Sequence, residues 1–161
     1  MDKQYIYNCK IEFEDCDMQG IVHHPKFFCF LERARIEAMN NLNYSYKYLV
    51  DNNIGFVITD IKAKFVSPAK FGDKISIVTK VGGAYYHCIK IDQIILIGND
   101  IQLPLSNWMS NEKTIMCSAL RCSLVNNSTY KQVENYEEVL NNLNMNKKNN
   151  IKEVSFKHPF N

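Results

Sequence analysis

The stretch "FEDCDMQGIVHHPKFFCFLERAR", residues 13–35, decides how the rest of the chain is read. Its first half crowds two carboxylates (Asp15, Asp17), a thiol (Cys16), one glycine (Gly20) and two adjacent histidines (His23, His24) into a loop. Pro25 closes the loop and stands where a first helical residue needs no N–H. From Lys26 to about Leu42 the apolar positions Phe27, Phe30, Leu31, Ala34, Ala38 and Leu42 recur at helical spacing, with Arg33, Arg35 and Glu37 mostly off that stripe. The spacing predicts one long helix with a strongly apolar face, entered through a loop full of ionisable groups.

Working outward, residues 5–13 alternate, with Tyr7, Cys9, Ile11 and Phe13 on one side, and predict a half-buried strand. "YSYKYLVDNN" predicts a turn or two of helix before Gly55. Val57, Thr59, Ile61, Ala63 and Phe65 then alternate with polar residues until Ser67-Pro68, and Asp73–Val81 alternates again until Gly82-Gly83. Ala84–Ile97 and Lys113–Val125 are two more strands, joined by the long connection "GNDIQLPLSNWMSNE" that holds the single Trp108. Connections this short after Gly55 suit antiparallel pairing, because parallel crossovers need a dozen or more residues. One helix and one antiparallel sheet make an α+β layer arrangement. Such a helix covers one face only, so the other face and the edges are left to solvent or to a second subunit. Tyr136, Val139, Leu140 and Leu143 predict a short C-terminal helix, and the domain is divided as 1–130 for the folded unit and 131–161 for that helix and a polar tail.

Composition narrows the classes. With 161 residues, 46% hydrophobic and 22% charged, the chain reads as one ordinary globular domain. A net charge of +2 gives no case for nucleic acid, and the locally basic "NNLNMNKKNNIK" lacks the interleaved aromatics of a nucleic-acid arm. No run of ~18 apolar residues predicts membrane insertion, and the N-terminus does not read as a secretory signal. Cysteines 9, 16, 29, 88, 117 and 122 are scattered without a C-x-x-C pair, which fits a reducing, cytoplasmic setting better than a disulfide framework.

The loop admits four chemistries. Asp15 or Asp17 can form an Asx-turn with Gly20 at positive φ, which is structural. Asp15, Asp17, His23 and His24 are possible metal ligands, but neighbouring histidines rarely point at one ion and no second cluster matches them. Cys16 could be a nucleophile, although two flanking carboxylates raise a thiol pKa. Finally, a helix N-terminus has unsatisfied N–H groups and a positive dipole end that can hold a developing oxyanion. A carboxylate facing it could activate water or attack a carbonyl directly. Pro25 cannot donate, so the donors would be backbone N–H groups around His23, His24 or Lys26.

The pattern as a whole resembles the opening of hotdog-fold acyl-CoA thioesterases, the 4-hydroxybenzoyl-CoA thioesterase family with its YbgC-like branch. The match runs nearly position by position over residues 11–38, through D-x-D-x-x-G-x-V, a His pair and a helix with E-R-A-R, and more loosely through "VITDIKAKFVSPAKFGDKISIVTKV". The resemblance implies a hotdog fold, one long helix wrapped by an antiparallel β-sheet, assembled as a homodimer or homotetramer. It implies hydrolysis of an acyl thioester of coenzyme A or of acyl carrier protein, with neither metal nor organic cofactor. By position it makes Asp17 the catalytic carboxylate and leaves Asp15 to shape the turn. Gly20 matches the loop glycine, and His23, His24 and Pro25 match the segment that holds the thioester carbonyl. His24 matches a histidine of the YbgC-like branch. Thioesters lack much of the resonance stabilisation of esters, so one carboxylate and a polarised carbonyl can suffice.

Other charged residues read more plainly. Glu32, Arg33, Arg35 and Glu37 suit a solvated or subunit-facing surface. Lys62, Lys64 and Lys70 suit a solvated strand face, with the phosphates of coenzyme A as the functional alternative. "GGAYYH" (82–87) offers only His87 where some relatives place several basic residues, which keeps acyl carrier protein open as the carrier. The expectation is a cytoplasmic thioester hydrolase; the rivals are a non-catalytic acyl-thioester binding or interaction module on the same fold and a metal hydrolase at the loop.

Overall fold

A computed structural model describes residues 4–41, 46–85, 88–105 and 111–133. In chain order these form β1 (Gln4–Lys10), a 3-10 turn at Phe13–Asp15, α1 (His24–Asn40), α2 (Tyr46–Asp51), β2 (Ile54–Phe65), β3 (Lys74–Tyr85), β4 (Cys88–Ile97) and β5 (Thr114–Asn126). The strands make one five-stranded sheet in the order β1-β3-β4-β5-β2, and every neighbouring pair is antiparallel. Trp108, His87 and the C-terminal helix expected over 136–143 lie outside the described residues.

Helix α1 buries Phe27, Phe30, Leu31, Ala34, Ala38 and Met39. These are the positions expected from the helical spacing, with Met39 added and Leu42 outside the described residues. Phe27, Phe30, Leu31 and Ala34 meet Ile75 and Ile77 of β3, Ile95 of β4 and Met116 of β5. Each large apolar side chain buried this way stabilises the fold by about 1.5–3 kcal/mol. Below it, Met39, Leu49 of α2, Ile91, Leu120 and Leu124 form a second cluster, which Val133 joins after the chain turns back beside β5. The arrangement is the hotdog fold, an α+β layer of one long helix against an antiparallel sheet.

The local patterns fail at three places. The alternation puts Phe13 on the same side as Ile11, yet Ile11 is fully buried and Phe13 is 81% exposed. The Asp15 carboxylate accepts the Glu12 N–H at 2.9 Å and curls residues 13–15 into a 3-10 turn, which ends the alternation. Gly82-Gly83 was expected to end a strand, but β3 runs through them to Tyr85 with a shift in register between Val81 and Ala84. In β2 a bulge between Ile58 and Asp60 takes Thr59 out of register. Ile58, Ile61, Ala63 and Phe65 therefore share the helix-side face, opposite Cys122, Leu120, Ser118 and Met116, while Val57, Asp60, Lys62 and Lys64 share the other.

The far face of the sheet is covered by the chain itself over β1, β3, β4 and β5. Ile101 and Leu105 of the long connection pack on Ile6, Val78, Ile94, Leu96 and Cys117, and Leu105 donates its N–H to Gln4 Oε1 at 2.9 Å. The described part of that connection thus caps the sheet, a role the sequence left undecided. Among the described residues no strand pairs with the outer edge of β2.

One polar knot pins α1 to the sheet. Gln93, fully buried in β4, donates from Nε2 to the Leu31 carbonyl at 2.9 Å and to Thr79 Oγ1 at 3.0 Å. Its Oε1 accepts from Arg35 Nη1 at 3.0 Å. Burial lowers the Arg35 pKa, against the pull of neighbouring Glu32, so the guanidinium depends on this partner. Gln93→Leu leaves Arg35 and the Thr79 hydroxyl without it. The expected cost is about 1–3 kcal/mol, read as a lowered urea midpoint with unchanged slope.

Candidate active site

Residues 15–23 form a small hairpin. Cys16 bridges Val22, the Asp17 N–H donates to the Ile21 carbonyl at 2.9 Å, and the His23 N–H donates to the Asp15 carbonyl at 2.8 Å. The tip is a four-residue turn in which Gly20 N–H donates to the Asp17 carbonyl at 3.0 Å. Gly20 sits at φ +75° with open space where a Cβ would stand, so the backbone angle rather than crowding calls for glycine. The returning arm docks on the segment before β3 through Val22 N–H to the Ala69 carbonyl at 2.8 Å.

The two carboxylates have different surroundings. Asp15 is 6% exposed; Oδ2 accepts the Glu12 N–H, and Lys26 Nζ lies 3.4 Å from Oδ1. It holds the turn and ties it to the first turn of α1. Asp17 is exposed at the hairpin tip. Its Oδ1 accepts the Gln19 N–H at 2.8 Å in an Asx-turn, and Oδ2 has no hydrogen-bond partner among the described residues. The Asx-turn foreseen as a purely structural role is therefore present, and it leaves one carboxylate oxygen available.

At the helix entry the donors can be counted. His23 is the N-cap, extended at φ −63°, ψ 125°, without a side-chain cap. Its N–H is occupied by Asp15, Pro25 has none, and the Lys26 N–H donates to the His23 carbonyl at 2.8 Å. Of the donors expected there, the His24 N–H is the one without a partner among the described residues, at the positive end of a 17-residue helix. Helix α1 begins at His24 rather than Lys26 because the hairpin bond at His23 sets the cap, which puts Pro25 second. Asp17 lies two rungs from the Asp15–His23 rung, roughly 7 Å along the arm.

The walls are aromatic. The His23 and His24 rings stand perpendicular with centroids 5.1 Å apart. His24 meets Phe65 edge-on at 6.3 Å, and Phe65 also meets Phe27 at 5.9 Å and Phe28 at 6.4 Å. Phe65 and Phe28 were not foreseen as site residues; Phe65 comes from the end of β2, and no local pattern links it to His24.

The rival chemistries find less here. Cys16 is half-buried against the core, its sulfur 3.8 Å from the Glu12 carbonyl. Among the described residues no three His, Cys, Asp or Glu side chains are grouped so as to hold a metal ion. Lys62, Lys64 and Lys70 are exposed on and beside β2. No described helix is long and apolar enough to cross a membrane.

A carboxylate with one unpaired oxygen thus stands at the tip of a hairpin whose other arm leads into a helix N-terminus, on a hotdog fold. The chain belongs to the Thioesterase-like superfamily, whose family model matches residues 11–136. It is 29% identical over 138 residues to the acyl-CoA thioesterase YbgC of Helicobacter pylori (strain ATCC 700392 / 26695), covering 83% of this chain and 97% of that protein. Among solved structures it is similar to a probable thioesterase from Bartonella henselae, with TM-score 0.68, 20% identity and coverage of 81% and 98% of the two chains. It is also similar to a 1,4-dihydroxy-2-naphthoyl-CoA thioesterase from Synechocystis, with TM-score 0.68, 14% identity and coverage of 85% and 94%.

Proposed function

We propose that this chain is an acyl-CoA thioesterase whose chemistry is carried by the Asp17 carboxylate and the His24 backbone N–H. The observation that carries the reading is that one hairpin and the helix it leads into supply one carboxylate oxygen and one backbone donor, both without a partner among the described residues. Asp17 takes a proton from water as the water oxygen bonds to the thioester carbon, and the carbonyl oxygen gains negative charge against the His24 N–H. Collapse breaks the C–S bond, and the leaving thiolate receives the proton. The products are a carboxylic acid and free thiol. Direct attack by Asp17, with an anhydride that water then opens, uses the same oxygen and the same donor. Gly20 keeps the turn, while His23 and Pro25 fix the helix entry. The aromatic wall of Phe28 and Phe65 receives the acyl group.

The chain works in the cytoplasm as a homo-oligomer. Free cysteines at 9, 16, 29, 88, 117 and 122 suit a reducing compartment, and the open edge of β2 is where a second copy can attach. A thiol-release screen over short, long and aromatic acyl-CoAs, with acyl carrier protein thioesters as a further arm, tests the activity. Turnover of at least one acyl-CoA above the Asp17→Ala background is expected. Binding without turnover in every arm would instead make the chain an acyl-thioester binding module.

A further inference from the structure

Two phenylalanines stand in water beside the 15–23 hairpin. Phe13 is 81% exposed and Phe71 is 56% exposed, yet the backbone under both is firmly tied. Residues 70–73 form a tight turn with Gly72 at φ +86°. The Asp73 N–H donates to the Lys70 carbonyl at 3.1 Å, and the Lys70 N–H donates to Asp73 Oδ2 at 2.8 Å. Ile11 clamps this turn to the end of β1. Its N–H donates to the Asp73 carbonyl at 2.9 Å, and its carbonyl accepts the Gly72 N–H at 3.0 Å. Phe71 rides on the turn, Phe13 follows Ile11, and their rings meet edge to face at 6.3 Å. The result is a fixed aromatic corner, open to solvent, on which a flat ring can lie.

Cations gather round the corner. Lys10 Nζ lies 5.6 Å from the centre of the Phe71 ring. Lys10 and Lys74 are directly opposed across β1 and β3, an arrangement of like charges that destabilises a sheet. Lys10 is drawn to Glu12 at 3.7 Å. Lys70 and Lys74 are exposed and have no ion pair among the described residues. Of the neighbouring carboxylates, Glu12 is engaged by Lys10 and Asp73 by the Lys70 N–H, which leaves exposed Glu14. An anion seated among these ammonium groups relieves their repulsion.

We propose that this corner is the subsite for the nucleotide end of the acyl-CoA, with the adenine on Phe13 and Phe71 and the phosphates at Lys10, Lys70 and Lys74. The proposal rests on the acyl-CoA thioesterase reading. Stacking on an aromatic face asks only for a flat base, and ammonium groups supply charge-assisted contacts to phosphate. The corner also lies within reach of the hairpin. Asp17 is bonded to Ile21, and Ile21 bridges Lys70, so two strand spacings, roughly 10 Å, separate Asp17 from Lys70. An extended pantetheine arm is longer than that. Binding energy gained here, remote from the reacting carbonyl, holds the thioester at Asp17.

The preference for an acyl-CoA over the same acyl group on pantetheine, which lacks the nucleotide, tests the subsite. The wild type is expected to favour the acyl-CoA by about tenfold or more in kcat/KM, carried by KM. Phe71→Ala and Lys74→Glu each cut that preference by about fivefold or more, and Phe71→Tyr, which keeps the ring, retains it. Both side chains are exposed, and melting curves confirm that the variants fold. A wild type without the preference, or variants that keep it in full, would overturn the subsite. Calorimetric titration with adenosine 3′,5′-bisphosphate reads the same corner without turnover. Binding that weakens in Phe71→Ala and Lys74→Glu supports the proposal, and no binding, or equal binding by wild type and variants, overturns it. ADP serves as a second arm. If ADP binds as tightly and changes turnover of the acyl-pantetheine, the corner serves a free nucleotide and its assignment to coenzyme A falls. Bisphosphate binding without turnover of any thioester would count against the thioesterase reading alone.

Discussion

Asp17→Asn is expected to lower kcat for acyl-CoA hydrolysis by 10²-fold or more while leaving the fold and the thermal midpoint near those of the wild type. The size follows from the role: a positioned general base or nucleophile contributes about 10²–10⁴ in rate, equivalent to about 2.7 kcal/mol or more of barrier. The selectivity follows from the structure. Asn keeps an Oδ1 that can accept the Gln19 N–H, so the Asx-turn at the hairpin tip survives. The lost oxygen charge is the one with no partner to strand. Asp15→Asn is a useful contrast, because that carboxylate is buried against Lys26 and the Glu12 N–H and its replacement acts through stability. Steady-state thiol release together with a melting curve separates the two carboxylates.

The second large effect concerns a backbone atom. His24→Pro removes the one expected donor without a partner among the described residues, and the position tolerates it. Proline is favoured at the first helical residue, and His23, at φ −63° and ψ 125°, already has the extended geometry a pre-proline residue prefers. His24→Ala removes the same imidazole, with its contact to Phe65, and keeps the N–H. Loss of one oxyanion donor costs about 10²–10³ in kcat. The expectation is therefore a kcat that falls by that factor in His24→Pro and less than tenfold in His24→Ala, with both variants folded. Equal losses in the two would move the function from the amide to the ring and overturn the assignment of the donor.

Local periodicity carried much of the fold. The α1 stripe was legible because Phe27, Phe30, Leu31, Ala34 and Ala38 satisfy one helical face without help from elsewhere. Alternation located the strands but misjudged Phe13, because a side-chain cap from Asp15 competes with strand geometry over three residues. It also missed the bulge at Thr59, which exchanges the faces of β2 midway. Of the site, the loop and its glycine were legible from residue type, and Asp17 was singled out by resemblance to a family pattern. The division of labour between Asp15 and Asp17, and the selection of the His24 N–H among the candidate donors, depended on hydrogen bonds across the hairpin. The Phe65 contact joins residues 24 and 65, a pairing that no window of local sequence encodes.

Thioester hydrolysis by one carboxylate at the hairpin tip is a property of the chemical step. It is tested most directly by single-turnover thiol release from one acyl-CoA, with enzyme in excess, for the wild type and Asp17→Asn side by side. Single turnover removes product release from the comparison and reads the chemical step. A wild-type rate at least 10²-fold above Asp17→Asn, at matched folding, is the predicted result. An Asp17→Asn rate within a few-fold of wild type would contradict the claim and place the chemistry elsewhere in the molecule.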